Sequence, residues 1–454
     1  MQKNDNFAAT MKIELSGHYG YRRIVKTMLP SVAMMILTSI YGIVDGFFIS
    51  NFAGDTAFAS MNLVYPVIAI LSATGLMLGA GGSALVSFSL GEKDNGKANR
   101  TFTTIVKFSL IIGVVLAVAV ILLMKPITIG LGATQEMLPD AVAYGRIIIA
   151  SLPFFILQMA FQTFYMVAER PQIGTIMSIV CGSVHVGLDA LFIIGFGWGL
   201  RGAAIATALS ICVGGIYPLL KFTSRRMNDT HIALVRSRMD WGAVAKSCTN
   251  GASEYVGNIA LNIVGICYNL QLMRLIGADG VSAYGIVMYI GFIFAAIFIG
   301  YNMGIAQIIS YNYGAGNREE LRSLQHKSLV LVLAGGALMV ILSEILAPLF
   351  SHAFVGYKPE LEALAIKATR IYMLSFLICG VNMFTSAWFT ALGNGIVSAI
   401  GAFARTLVFE LSAVFILPAL LGVDGIWMSV DFAEVMALLL SIGLLVGFRK
   451  RYLG

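Results

Sequence analysis

The sequence predicts an all-α integral membrane protein whose twelve transmembrane helices form two pseudo-symmetric six-helix bundles. Three observations carry that expectation. Of 454 residues, 58% are hydrophobic and 12% charged, whereas soluble domains carry roughly a quarter charged residues. Apolar windows of about 20 residues, enough to cross a bilayer core as a helix, recur along the whole chain. Loops, glycines and segment lengths also repeat when the chain is slid against itself by about 223 residues. A membrane barrel is excluded because its strands would alternate apolar and polar residues, which the runs Ile111 to Met124 and Leu329 to Leu342 do not do.

The first apolar segment, 27–50, follows a polar, basic stretch with Arg22, Arg23 and Lys26. It lacks the short apolar core and cleavage site of a secretory signal and reads as an uncleaved anchor. The second, 60–88, holds Gly75, Gly79, Gly81 and Gly82, suited to close helix packing, and runs into a basic loop with Lys93, Lys97 and Arg100. Segments 103–124 and 141–167 follow; 173–195 carries His185 and Asp189, and 202–221 closes the first half. The second half opens with 250–273, beginning Asn250-Gly251-Ala252-Ser253-Glu254, followed by 284–312. Segment 328–350 comes after Arg318, Arg322 and Lys327; then come 370–392, 397–420 with Arg405 and Glu410, and 426–447 with Asp431 and Glu434.

Lys and Arg concentrate in alternate connections: the N-terminal stretch, the loop around Lys97, Arg170, the central stretch with Lys221, Arg225, Arg226, Arg236 and Arg238, the loop around Arg322, and the final Arg449, Lys450 and Arg451. The positive-inside bias places all of these, and both termini, on the cytoplasmic side. Lys125, Arg201, Arg274, Lys358 and Lys367 fall on the opposite side, so the bias is imperfect. Residues 1–26 and 448–454 are expected to be cytoplasmic tails, 27–221 and 250–447 the two lobes, and 222–249 the cytoplasmic linker.

In the repeat, Gly54 falls on Gly277, Gly81 on Gly304, Gly91 on Gly314 and Arg146 on Arg370. Six helices per half give both repeats the same orientation, related by an axis along the membrane normal. That is a plan of secondary transporters, which hold substrate between two rocking halves.

An acid at bilayer depth is costly unless protonated, paired or wet, so each one is a functional candidate. Asp45 lies toward the outer part of the first helix and Asp189 at similar depth on the fifth. Two carboxylates sharing a poorly solvated site favour holding a proton or a cation between them. His185 lies one turn before Asp189 on the same face, where it either shares a proton or is simply packed and hydrogen-bonded. In the second half, Glu410 matches Asp189 and Tyr268 matches Asp45, so the acid pair is not duplicated. Glu254 is either a cavity acid or an acid reaching the inner interface, and Glu410 is either free or the partner of Arg405. Glu344, Asp431 and Glu434 sit nearer the outer helix ends, where solvation is easier.

Several other signals are excluded. Gly91-x-x-x-x-Gly96-Lys97 mimics a phosphate loop, but Ala98 replaces the Mg²⁺-ligating hydroxyl and a helix precedes it. The sequons at Asn99 and Asn228 fall in expected cytoplasmic loops. Cys181, Cys212, Cys248, Cys267 and Cys379 show no pairing pattern and read as small buried apolar groups. The net charge of +7 fits topology signals and not nucleic-acid binding. No HExxH, DDxxD or Ser/His pair suggests an enzyme, and no catalytic residue or cofactor is expected.

The run Pro30…Tyr41-x-x-x-Asp45 and the run Leu188-Asp189-x-Leu191-Phe192…Gly202-Ala203-Ala204-Ile205-Ala206-Thr207 resemble the multidrug and toxic compound extrusion (MATE) family. Asn250-Gly251-x-Ser253-Glu254 and Gly277-x-Asp279-Gly280-Val281 resemble its MepA-like bacterial branch. The resemblance, which covers essentially the whole chain, implies an antiporter that expels cationic amphipathic molecules in exchange for H⁺ or Na⁺. It implies ion coupling at Asp45, Asp189, Thr207 and position 185, with a possible Na⁺ at Asp45, Asp189 and Thr207. His185 stands where the family usually has asparagine, which tilts the expectation toward protons. Glu254, Glu410, Asn382 and Tyr41 are expected at the substrate cavity, and Pro30 at a hinge. The expected partners are organic cations and the lipid bilayer, with the chain a monomer. A flippase for lipid-linked oligosaccharide is the alternative within the superfamily, but it should line its cavity with Arg and Lys. A channel could present a similar polar path.

Overall fold

The computed structural model describes residues 13–224 and 226–454, except for the side chains of residues 43, 47 and 50. Residues 1–12 of the expected tail, and Arg225, lie outside the described residues. Ten helices are singly long and apolar enough to cross a membrane, and two bent helix pairs bring the number of spans to as many as twelve. In chain order the first six spans are Tyr21–Phe52, Asp55–Gly91, Asn95–Gly130, the pair Leu138–Ala150 and Leu152–Val167, Pro171–Asp189 continued by a wider turn Ala190–Gly195, and Gly199–Thr223. The second six are Ala252–Leu275, Ala278–Gly314, Arg318–Val355, the pair Pro359–Met373 and Phe376–Ala391, the run Gly395–Phe403, Ala404–Glu410 and Leu411–Leu421, and Val423–Trp427 with Ser429–Gly447. The first span begins at Tyr21 instead of near residue 27, and the linker ends in a helix, Trp241–Asn250.

The helices extend beyond their apolar cores because polar residues cap them. Asp94 accepts from the Lys97 N–H at 2.8 Å, and Asn317, its match in the repeat, accepts from the Glu320 N–H at 3.1 Å. Gly54 and Gly277, also matched, turn the chain between spans with φ of 93° and 79°, where a side chain would be strained. The fourth and tenth spans bend by 56° and 44°. In the fourth, Pro153 supplies no N–H and breaks the ladder, while Ser151 Oγ donates to the Ile148 carbonyl at 2.7 Å. No proline breaks the tenth, but Ser375, the repeat match of Ser151, makes the same bond to the Tyr372 carbonyl at 2.7 Å. Both bends therefore satisfy a carbonyl inside the protein, as an apolar solvent requires.

Leu122, Leu338, Leu420 and Val446 are exposed on the outer faces, where lipid would cover them. All five cysteines are free. The two lobes meet along the ends of the second and eighth spans nearest the chain termini. A Cβ on Gly91 would lie 2.1 Å from the Tyr311 carbonyl oxygen, and one on Gly314 2.1 Å from that of Phe88. Gln307 accepts from Ser87 Oγ at 3.0 Å and donates to Ser83 Oγ at 2.9 Å, and Ser310 donates to the Ala84 carbonyl at 2.6 Å. Every hydrogen bond between the lobes among the described residues lies at this end.

Both chain ends pack here too. The Tyr19 N–H donates to Glu320 Oε1 at 2.8 Å, and Arg322 Nε donates to the Leu453 carbonyl at 2.7 Å. The linker docks on one face of the third span: Asn99 and Thr103 accept from the Ala233 and Val235 N–H groups at 2.9 and 3.0 Å, and Lys107 donates to the Ser237 carbonyl at 2.7 Å. Asn99, the sequon residue, is thus a structural anchor.

Replacing Gly91 with valine should force the lobes apart at this end. Overpacking costs about 1–3 kcal/mol, which corresponds to a shift of roughly 5- to 150-fold in a two-state equilibrium. Maleimide labelling of a cysteine placed at buried Ser87, in a cysteine-free background, should accelerate accordingly.

Candidate functional site

The fifth span presents His185 and Asp189 one turn apart on the same face, and the first and sixth spans bring Asp45 and Thr207 to them. His185 Nε2 lies 3.4 Å from Asp45 Oδ1, 3.3 Å from Asp189 Oδ2 and 3.0 Å from Thr207 Oγ1. All four residues expected at the coupling site therefore meet at one point. Thr207 spends its single hydroxyl proton on the Ala203 carbonyl at 2.9 Å, so toward His185 it can only accept, which puts a proton on Nε2. That one N–H cannot serve every oxygen around it. Asp45 Oδ1 and both oxygens of Asp189 are buried with no hydrogen-bond partner, and Asp189 is fully buried.

Two poorly solvated carboxylates that share one histidine are costly, and the cluster is poised to take up positive charge. One ligand atom from each of Asp45, His185 and Asp189 lies within 4.8 Å of the others, a spacing that fits a small cation. With its proton on Nε2, His185 repels such an ion; it becomes a ligand only if the proton moves to Nδ1 or leaves. The two carboxylates and the Thr207 hydroxyl supply the oxygen donors of a hard cation.

Tyr41, expected at the substrate cavity, packs against the fifth span and is not in the lining of the cavity described next. A Cβ at Gly182 would fall 1.9 Å from the Tyr41 ring, so the glycine is what seats the ring against the fifth span. Buried Tyr144, on the fourth span, lies within electrostatic reach of both aspartates. Nothing in its apolar sequence surroundings singled it out.

The cavity lies in the second lobe and faces the first. It has a volume of about 330 Å³, and Glu254, Asn258, Asn382, Thr390 and Arg405 line it together with Met35 of the first span and Gln307. Glu254 and Asn382 thus face this cavity, while Glu410 lies outside the lining. Arg405 has Glu434 as its partner: Nε donates to Oε1 at 2.7 Å. Asn382 Nδ2 donates to Glu434 Oε2 at 2.7 Å and Ser441 donates to Asn382 Oδ1 at 2.8 Å, completing a buried network. Glu434 is thus buried, contrary to the expectation of easy solvation, because the tenth and eleventh spans pack over it and supply Asn382 and Arg405 as partners. Glu344 is half exposed and pairs with Arg370 at 2.8 Å. Pro30 lies within a first span that stays helical, and its carbonyl accepts from Thr175 Oγ1 at 2.7 Å.

The family model MatE matches residues 30–191 and again 255–416, once in each lobe. The chain belongs to the MATE family. It is 25% identical over 449 residues to the multidrug export protein MepA of Staphylococcus haemolyticus, covering 97% of both chains. It is 25% identical over 439 residues to MepA of Staphylococcus aureus strain NCTC 8325, covering 95% of this chain and 94% of that one. Among solved structures, an outward-facing multidrug resistance MATE transporter of the MOP superfamily superposes with a TM-score of 0.89 at 22% identity, over 96% of this chain and 97% of that one. This MATE protein is accordingly a multi-pass membrane transporter of the secondary type and not an enzyme.

Replacing Thr207 with valine keeps the shape and leaves His185 Nε2–H without its hydroxyl acceptor. The expected cost is about 0.5–1.5 kcal/mol, read as a lowered midpoint of thermal denaturation in detergent, with the elution volume unchanged.

Proposed function

We propose that this MATE transporter exports cationic amphipathic compounds from a bacterial cell by alternating access, driven by inward H⁺ or Na⁺. The carrying observation is the unpartnered carboxylate cluster of Asp45 and Asp189, held in one lobe while the cavity lies in the other. Export by the MepA relatives supports the direction of transport. The stretch before the first span, from residue 13, the last residues and the basic linker share one end of the bundle; the positive-inside rule assigns that end to the cytoplasm and the unsealed end to the outside. One chain contains both lobes and the whole pathway, so a monomer suffices.

The first span links ion to substrate. Its lower turn packs against the eighth span, where a Cβ on Gly304 would fall 2.5 Å from Met28 Sδ, and its upper part carries Asp45. A proton or Na⁺ arriving from outside neutralises the cluster, pulls Asp45 toward Asp189 and bends the span near Pro30, which narrows the cavity and expels substrate. Moving a two-state equilibrium from 1:99 to 99:1 takes about 5.5 kcal/mol, close to the roughly 3–5 kcal/mol at stake in one uncompensated buried charge. Solved MATE structures are described in both a straight and a bent conformation, which supports such a movement.

The cavity favours a cation. Glu254 lines it without a hydrogen bond among the described residues, whereas the charge of Arg405 is taken up by Glu434. A lipid-linked pyrophosphate would need free basic groups there, and Arg405 is the one basic side chain in the lining.

Ethidium efflux from cells expressing the wild type should stop when the driving gradient, Na⁺ or H⁺, is collapsed, and Asp45→Asn should reduce it by about tenfold or more. Efflux by Asp45→Asn at the wild-type rate would remove Asp45 from the mechanism. His185→Asn replaces a titratable ring with a neutral oxygen donor; efflux should persist, with its dependence on external pH flattened and its dependence on Na⁺ increased.

A further inference from the structure

A second cavity lies at the seam where the lobes meet, and it shares no lining residue with the substrate cavity. Its volume is about 280 Å³, at the small end of the range in which proteins hold ligands. Three parts of the chain wall it: Leu85 and Phe88 of the second span, Tyr313 of the eighth span with Leu392 just past the tenth, and Lys246 with Asn250 of the linker helix Trp241–Asn250. That helix is the covalent joint between the lobes and packs on both. A Cβ on Gly81 would fall 2.0 Å from the Ser247 carbonyl oxygen, and one on Gly395 2.2 Å from that of Thr249.

Lys246 and Gly393 are exposed at the mouth of this cavity, whereas Asn250 and Ser310 are buried on its floor. The Lys246 ammonium has no ion-pair or hydrogen-bond partner among the described residues. On the floor, Ser310 spends its proton on the Ala84 carbonyl, and Asn250 Nδ2 donates to the Thr390 carbonyl at 2.9 Å. Asn250 Oδ1 is left buried without a donor, which is costly for an amide oxygen. Between mouth and floor the Phe88 and Tyr313 rings approach across the seam, with centroids 5.6 Å apart. Lys97 lies over Phe88 but is paired with Glu92 at 2.8 Å, so Lys246 is the charge left uncompensated. The cavity thus offers a cation at its mouth, apolar and aromatic walls, and an acceptor in need of a donor at its floor.

We infer that this cavity binds a small amphipathic carboxylate whose far end carries a hydroxyl or N–H group. The carboxylate meets Lys246, the apolar body lies along Leu85 and Phe88, and the donor reaches Asn250 Oδ1. Because both lobes and the linker helix build the walls, parting the seam takes the site apart. A ligand that binds only the closed seam stabilises it by the factor 1 + [L]/Kd. The bound anion therefore holds this end of the bundle shut and slows the export cycle without entering the substrate cavity. Binding is measurable without transport, so the site itself does not depend on the antiport reading.

The test uses purified full-length protein in detergent, with 4-hydroxybenzoate as the probe because it joins a carboxylate, a ring and a hydroxyl donor. Equilibrium dialysis with the radiolabelled probe should show saturable binding. Lys246→Gln, at an exposed position that the fold does not need, should weaken binding by about tenfold or more. The neutral methyl ester should bind wild type and variant alike, which isolates the charge contact. Benzoate, which lacks the hydroxyl, should bind about three- to tenfold more weakly. With the probe at about ten times its Kd, maleimide labelling of Ser87→Cys in the cysteine-free background should slow about tenfold, and Lys246→Gln should remove that effect. No saturable binding, or binding that Lys246→Gln leaves unchanged, overturns the site. Saturable binding with an unchanged labelling rate overturns the hold on the seam. Ethidium efflux by the wild type that ignores both gradients would refute the antiport reading and leave this binding result standing.

Discussion

Within the hydrocarbon of a bilayer no water is available, so each polar group must find its partner inside the protein or remain at high cost. The fold follows from this constraint. Backbone groups are satisfied within helices, and where a span bends, the Ser151 and Ser375 hydroxyls donate to the Ile148 and Tyr372 carbonyls. Arg405 is tolerated only because Glu434, Asn382 and Ser441 close a network around it. Among the buried side-chain atoms without a hydrogen-bond partner in the described residues, the carboxylate oxygens belong to Asp45 and Asp189 in one lobe and Asp431 in the other.

The same scarcity of driving force shapes the contact between lobes. Lipid is as apolar as leucine, so helices associate through close packing and a few hydrogen bonds. Gly91 and Gly314 bring two backbones together, and Gln307 bonds across the seam to Ser83 and Ser87. A seam of this kind is strong when aligned and cheap to part, which suits an interface that must open and close. The first span is the one element that both enters this seam, through Met28, and reaches the cation cluster, through Asp45.

The lobes share a backbone more closely than they share chemistry. Matched positions keep the turn glycines Gly54 and Gly277, the caps Asp94 and Asn317, and the bend serines Ser151 and Ser375. Backbone geometry tolerates few residues at such places, so duplication leaves them alike. Side chains facing the interior are free of that restriction: Asp45 is matched by Tyr268 and His185 by Thr406. One lobe thus concentrates bare carboxylates, while the other holds the cavity and an arginine network.

The sequence alone determined the membrane class, the spans, the twofold repeat and the candidates Asp45, His185 and Asp189, whereas Thr207 came only from the family resemblance. Each depends on something local: twenty apolar residues in a row, a glycine at a turn, an acid where acids are rare, or a histidine one turn from an aspartate. Only the tertiary structure decided that Thr207 orients the His185 proton, that Tyr41 seats on Gly182 away from the cavity, and that Arg405 chooses Glu434 over Glu410. Glu434 and Glu410 lie on different helices. Which one an arginine reaches depends on the rotation and tilt of packed spans, and in a chain apolar on every face no periodicity records that rotation.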